Sequence, residues 1–407
     1  MSGYPTVDVT VYPHECDGSG YLHPAACVAL LERARWDALA CGPGTDLFSR
    51  AGVIPTARQT SVSHRSPVFP GDLLRVVTRV IDRGTTTFTV RQRVTRAADE
   101  VVVIEAELAF ECVDRLGRPV PLPEEVARAL DAPGGPREVR WLRVRDTELA
   151  VEVRGRGPAL LLIHGFPLDR TQWRHQLLGF SQWRRIAPDL RGFGASANAP
   201  VGQDAWSMAG YVEDLVGVLD GLGAESAVVC GFSMGGYIAL ELWRRYPDRV
   251  RALVLMDTKA EGDTPEERRA RDDMAAVALR DGPEAIAERM VPRLLSRETL
   301  DTQPETVAHV RAMIGRATPG GMVAALHAMR DRRDNVDLLA GITVATLVVG
   351  GAEDALTPAE GMRAMAAAIP EATFVAVPSA GHLAPLEQPL AVNRAVREFL
   401  ERVLDRR

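Results

Sequence analysis

Val228-Val229-Cys230-Gly231-Phe232-Ser233-Met234-Gly235-Gly236-Tyr237 decides how this 407-residue chain is read. A short β-rich run enters Gly-x-Ser-x-Gly, and a helical pattern from Ile238 to Tyr246 follows at once. In that setting the serine sits on a sharp strand-to-helix turn, its hydroxyl held clear of the backbone at a helix N-terminus. Gly231 and Gly235 remove the side chains that would collide in so tight a bend. A lone Gly-x-Ser-x-Gly also arises by chance. Here both flanks fit, and two distant partners follow in the order this turn requires.

Working outward, Ala159 to Ile163 is a continuous apolar run ending at His164-Gly165-Phe166-Pro167. Further runs lie at 185–188, 226–230, 251–256, 344–349 and 373–377, with helical patterns at 207–222, 236–246, 361–369 and 390–403. Continuous apolar runs suit strands buried on both faces, and their alternation with helices specifies a doubly wound, mostly parallel α/β sheet. Ser233, Asp354 and His382 each come just after such a run, so they should gather at the carboxyl edge of the sheet, where these folds bind ligands. His382 is placed to take the proton of Ser233, and Asp354 to orient the imidazole. Glu353 and Asp257 remain alternatives for the acid. Residues 259–340 interrupt the alternation. They are helical, charged and methionine-bearing (Met322, Met329), and read as a cap over the site.

With His164-Gly165-Phe166-Pro167, Asp189-Leu190-Arg191-Gly192-Phe193-Gly194-x-Ser196, Gly231 to Gly235, Gly351-x-x-Asp354 and Gly381-His382, the part from 137 to 407 resembles the α/β-hydrolases. Within them it is most similar to 3-oxoadipate enol-lactonases, small carboxylesterases and cofactor-free haloperoxidases. The resemblance implies a serine nucleophile at Ser233, a triad with Asp354 and His382, and an oxyanion held by the backbone N–H groups of Met234 and Phe166. His164, Asp189 and Arg191 are expected to shape loops.

The part before residue 132 has a different rhythm. Alternating strand patterns at 7–12, 57–65, 73–81, 85–95 and 101–113 surround one amphipathic helix, 24–40, with Val28, Leu31, Ala34 and Leu39 among its apolar positions. The helix is expected to stop near Gly42-Pro43-Gly44. Long antiparallel strands after one helix make an α+β domain. Glu15-Cys16-Asp17-x-x-Gly20, Leu31-Glu32-Arg33-Ala34-Arg35, Pro67-Val68-Phe69-Pro70-Gly71-Asp72 and Gly117-Arg118-Pro119-Val120-Pro121-Leu122-Pro123 carry a resemblance to hotdog-fold thioesterases of the 4-hydroxybenzoyl-CoA type. The resemblance implies that Asp17 is nucleophile or general base and that the helix N-terminus near His23 polarises a thioester carbonyl. It also implies Glu32 as a further polar group and pairing into a dimer or higher. Each residue has a plainer reading as well: Asp17 as a turn former, His23 beside a helix cap, Glu32 as a surface charge.

Asp131-Ala132-Pro133-Gly134-Gly135-Pro136 marks the join, giving domains of 1–132 and 137–407. The chain is 46% hydrophobic and 25% charged, as expected of a globular protein, and its net charge of −6 argues against nucleic acid as a partner. No stretch approaches the about 18 apolar residues of a membrane span. The first residues do not form a signal peptide, so a cytoplasmic protein without a membrane partner is expected. Five cysteines without regular spacing imply neither a disulfide framework nor a metal site, and no motif asks for a cofactor.

The expectation is a bifunctional acyl hydrolase. A serine-triad domain would act on an ester, lactone or thioester, and a hotdog domain on the thioester of CoA or of an acyl carrier protein. The alternatives are a non-catalytic hotdog domain serving dimerisation or acyl binding, or a triad that performs acyl transfer or lactone formation.

Overall fold

The computed structural model describes residues 6–40, 47–131, 138–180, 182–197 and 206–405. The expected join at 132–137 and the helix stop at Gly42-Pro43-Gly44 lie outside the described residues. Two compact units emerge, one built chiefly on Met1–Pro136 and one on Arg137–Leu177 with Gln182–Arg407.

In the first unit the elements are β1 (Thr6–Thr10), α1 (Pro24–Ala40), α2 (Leu47–Arg50), β2 (Ile54–His64), β3 (Leu73–Arg83), β4 (Thr87–Arg96), β5 (Val102–Val113) and α3 (Glu124–Asp131). The strands form one antiparallel sheet in the order β1-β3-β4-β5-β2. Period-2 alternation turns Leu74 and Val76 of β3, Val94 of β4 and Ile104, Ala106 and Leu108 of β5 toward the core beneath α1. The helix answers with Cys27, Leu30, Leu31, Ala34 and Ala38, spaced as one face requires. Burying each leucine contributes about 1.5–3 kcal/mol. Val28 departs from the expected pattern. It is exposed, because the buried stripe is centred on 27, 31, 34 and 38 and leaves position 28 on its outer edge. Among the described residues one polar side chain, Gln92, is buried in this core. Gln92 donates to Leu31 O at 3.0 Å and Thr78 Oγ1 at 3.1 Å, and accepts from Arg35 Nη1 at 2.7 Å. Its hydrogen bonds tie helix to sheet, so its burial is satisfied.

The second unit opens with β6 (Glu138–Val144) and β7 (Thr147–Arg154), then β8 (Ala159–Ile163), α4 (Arg174–Leu178), β9 (Arg184–Pro188), α5 (Met208–Gly221), β10 (Ala227–Phe232), α6 (Met234–Arg245) and β11 (Val250–Met256). A helical stretch follows: α7 (Pro265–Leu294), broken at Gly282 before Pro283, then α8 (Arg297–Thr302), α9 (Pro304–Gly315), α10 (Pro319–Arg330) and α11 (Val336–Leu339). The sheet then resumes with β12 (Thr346–Gly351), α12 (Ala359–Ala367), β13 (Ala372–Val377), α13 (Ala384–Glu387) and α14 (Pro389–Asp405). The eight strands run β13-β12-β11-β10-β8-β9-β7-β6, parallel from β13 through β9, with β7 and β6 antiparallel at one edge. Every residue of β8, β10 and β12 is buried, which is why these strands read as unbroken apolar runs.

The helices α7–α11 fill the interval assigned to the cap. Met313, Met322 and Met329 are buried there as core residues. Gly192 and Gly321 seat α10 against the loop after β9: a Cβ on Gly321 would lie 2.4 Å from Gly192 O. Among the described residues no helix is long and apolar enough to cross a membrane.

Candidate active site

Ser233 stands between β10 and α6 with φ 51° and ψ −114°, a conformation costing a non-glycine residue about 1–3 kcal/mol. The surroundings enforce it. Ser233 N donates to Met256 O at 2.9 Å on β11, and Thr258 Oγ1 donates to Ser233 O at 2.8 Å. A Cβ on Gly231 would lie 2.2 Å from Gly235 O, and one on Gly235 would lie 2.2 Å from Ile163 O on β8. No side chain fits either place, so both glycines of the motif are steric requirements. Gly236, the residue after, is equally confined, with Thr258 Oγ1 2.4 Å from its would-be Cβ.

His382 arrives from the loop after β13. Its Nε2 lies 2.9 Å from Ser233 Oγ and its Nδ1 lies 2.7 Å from Asp354 Oδ2. This network assigns the proton to Nδ1, leaving Nε2 to accept from the hydroxyl. Asp354 follows β12. Its Oδ1 accepts from Leu356 N at 2.8 Å and Thr357 N at 3.0 Å, and its Oδ2 also accepts from the Thr357 hydroxyl. Burial pushes the Asp354 carboxyl up, but His382 and the Thr357 donors outweigh it and hold the group below the ordinary range. The pair is nearly fully buried, with exposures of 5% for Asp354 and 3% for His382. Both ring nitrogens are engaged, one by Ser233 and one by Asp354. Glu353, the neighbouring alternative, is exposed. Asp257, the other alternative, is buried at the same site and lies close to both Asp354 and His382.

The His382 loop is fastened by a residue that sequence reading did not single out. Glu387 accepts from Leu383 N at 3.1 Å and from Ser296 N at 2.7 Å, and Leu383 N also donates to Leu294 O at 3.0 Å. These bonds tie the histidine to the end of α7. The glutamate and its partner amide are 91 positions apart, so no local pattern announces the pairing.

Phe166 lies after β8, beside β10, and Met234 is the first residue of α6. An amide in the first turn of a helix has no partner within that helix. Gln172 Oε1 accepts from Gly165 N at 3.1 Å, and a Cβ on Gly165 would lie 2.6 Å from the Phe232 ring, so this loop is held tightly against the elbow. His164 spends both ring nitrogens on the backbone: Nε2 accepts from Leu190 N at 2.9 Å and Nδ1 lies 2.9 Å from Gly165 O. Burial drives its pKa down to about 4. Asp189 accepts from Arg170 N at 2.8 Å and Ala195 N at 2.7 Å, while Arg191 makes paired 2.9 Å bonds to Asp214. These three shape loops, as their places in the sequence suggested.

In the first unit Asp17 Oδ1 accepts from Ser19 N at 2.8 Å and Tyr21 N at 3.2 Å, closing the turn that Gly20 completes at φ 80°. His23 Nδ1 accepts from Ala25 N at 3.1 Å at the start of α1, and Glu32 Oε1 accepts from Trp36 Nε1 at 3.4 Å. All three are exposed, and among the described residues no hydrogen bond joins any two of them.

The family described as alpha/beta hydrolase fold matches residues 158–389. The thioesterase-like superfamily matches residues 11–130. Epoxide hydrolase 2 of Siraitia grosvenorii is 46% identical over 102 residues, 25% of this chain and 32% of that protein, so only part of that relative's length is spanned. The AB hydrolase superfamily protein YisY of Bacillus subtilis is 28% identical over 263 residues, covering 62% of this chain and 94% of its own. A thermophilic esterase from Thermogutta terrifontis, solved with malate bound, superposes with a TM-score of 0.61 at 42% identity, covering 66% of this chain and 99% of that one. The chain belongs to the α/β-hydrolase fold family, and a thioesterase-like domain precedes its hydrolase fold.

Proposed function

We propose that the second unit is a serine hydrolase that cleaves a carboxylic ester, lactone or thioester through an acyl-enzyme. The observation carrying this reading is the continuous chain from Ser233 Oγ to His382 at 2.9 Å and from His382 to Asp354 at 2.7 Å. As Ser233 Oγ attacks the carbonyl carbon, His382 Nε2 takes its proton, and Asp354 stabilises the imidazolium. The tetrahedral oxyanion is held by the N–H groups of Met234 and Phe166. Losing one such donor typically costs about 2.7–4 kcal/mol of barrier. On collapse the acyl–oxygen or acyl–sulfur bond breaks, and His382 returns the proton to the leaving group. Water then attacks the acyl-serine with His382 again as base, releasing the acid.

The first unit is proposed as an acyl thioesterase for CoA or a carrier protein, paired into a dimer or higher, with Asp17 as its acid and His23 and Glu32 beside the acyl thioester. A second reading has an observation of its own. One oxygen of Asp17 is committed to turn amides, which favours a domain that binds acyl groups or dimerises without catalysis.

Turnover of aryl esters and acyl-CoA thioesters by Ser233→Ala and Asp17→Ala separates these readings. Ser233→Ala loses roughly 10⁶-fold in kcat on esters, the usual scale for a missing nucleophile, and keeps thioesterase activity. Loss of both activities in Ser233→Ala contradicts two independent sites. Unchanged thioester turnover and assembly in Asp17→Ala supports the non-catalytic domain.

A further inference from the structure

One buried carboxyl at the site has no part in the scheme above. Asp257 follows β11 directly, with φ 44°. It is fully buried. Its amide donates to Val349 O at 2.9 Å, and its Oδ1 accepts from Gly351 N at 2.7 Å, so it is pinned to the strand end that leads into Asp354. Among the described residues no N–H or O–H group donates to its Oδ2, which faces the Asp354 carboxyl. A carboxyl oxygen of Asp257, one of Asp354 and a ring nitrogen of His382 all lie within 4.8 Å of one another.

Two carboxyls this close in a water-poor site do not both ionise. The groups facing Asp257 are Asp354 from the β12 loop, His382 from the β13 loop and Glu387 from α13. Burial first, then the charges of Asp354 and Glu387, raise the Asp257 carboxyl well above its ordinary range, against the opposing Gly351 amide. Asp354 has the Thr357 donors and the His382 Nδ1–H, so the shared negative charge rests on Asp354 and the proton on Asp257.

We propose that Asp257 is a second acid of the triad, able to accept the hydrogen bond from His382 Nδ1 and face the imidazolium when Asp354 carries no charge. The proposal rests on the serine-triad reading. With Asp354 replaced by Asn, Asp257 loses its like-charged neighbour but stays buried, so it releases its proton to solvent only as pH rises through its own raised range. The resulting carboxylate then accepts from Nδ1–H while Nε2 takes the proton of Ser233. A merely structural Asp257 would need only its bond to Gly351 N, which Asn also supplies.

The test compares kcat on an aryl ester for Ser233→Ala, Asp354→Asn, Asp257→Asn and the Asp354→Asn/Asp257→Asn double variant across pH. Where a triad has a single acid, neutralising it costs roughly 10⁴-fold in kcat; Asp354→Asn should lose only roughly 10²-fold, with the double variant falling the rest of the way. The acid limb of the Asp354→Asn profile should follow the ionisation of Asp257 and disappear in the double variant. Equal rates and equal profiles in Asp354→Asn and the double variant overturn the proposal. Full ester turnover in Ser233→Ala overturns the triad reading instead, so the two failures are distinct. If Asp354→Asn does not fold, infrared spectra of the wild type and Asp257→Asn at neutral pH decide: a protonated-carboxyl C=O band present in the first and lost in the second supports the proposal, and any other outcome overturns it.

Discussion

His164 braces the loop after β8 from inside the protein. It is fully buried and neutral, with its pKa near 4 against 6.5 for a free imidazole, and both nitrogens serve the backbone. As pH falls, the unfolded chain binds the proton first, so stability is present above about pH 6.5 and is lost as pH drops toward 4. The full effect is about 3 kcal/mol. Denaturant unfolding across that window should show this loss, and His164→Gln should flatten the slope. An unchanged slope would show that His164 does not carry it. At this scale the sequence was informative where a motif places a residue after an apolar run: Ser233, Asp354 and His382 all form the expected hydrogen-bond chain. It was silent on Glu387, because a carboxylate that serves amides on a different element leaves no periodic trace.

The turn at Ser233 and the helices α7–α11 are the elements whose packing bears on the site. α6 approaches β8 so closely that a methyl group at Gly235 meets Ile163 O at 2.2 Å. Gly235→Ala should therefore push the helix off the sheet, destabilise the protein by about 1–3 kcal/mol and lower ester turnover, as melting and kcat would report. The end of α9 is latched to the loop that follows β8. Arg316, after α9, donates to the buried Asp169 at 2.7 Å, and His309 Nε2 lies 3.1 Å from Thr171 O. Asp169 also caps the turn Arg170–Trp173 through Thr171 N at 2.9 Å. Burial raises the Asp169 carboxyl, and Arg316 with Thr171 brings it below the ordinary range. Arg316→Ala leaves that carboxylate without its cation. Since Arg316 is itself 43% exposed, the expected cost is about 1–2 kcal/mol rather than that of a fully buried pair. Its signature should be a larger rise in KM than fall in kcat; equal KM values would show that the latch does not bear on substrate binding. That helices α7–α11 interrupt the sheet could be read from the long break in strand–helix alternation. Which side chains hold them down could not, since Arg316 and Asp169 are 147 positions apart.

For the whole molecule, two rhythms of sequence became two folds. Alternation of period two gave a half-buried antiparallel sheet over α1, and unbroken apolar runs gave a parallel sheet covered on both faces. This contrast made the two-domain architecture legible, because it follows from how many faces of each sheet are buried. Val28 shows where pattern reading stops: an apolar residue at the edge of a helical stripe belongs equally to core or surface until packing decides. At this scale the proposal for the first unit predicts association, and sedimentation of the full chain should give a dimer or larger species. A monomer at all concentrations would contradict a paired thioesterase-like domain.

The most direct test of the central claim is mass spectrometry of the full chain after exposure to an aryl phosphonate, which traps an activated serine. The account predicts an adduct on the peptide carrying Ser233, formed in step with loss of ester turnover and absent from His382→Ala. Intact turnover with Ser233 unmodified, or loss of turnover with the adduct on another residue, would contradict it.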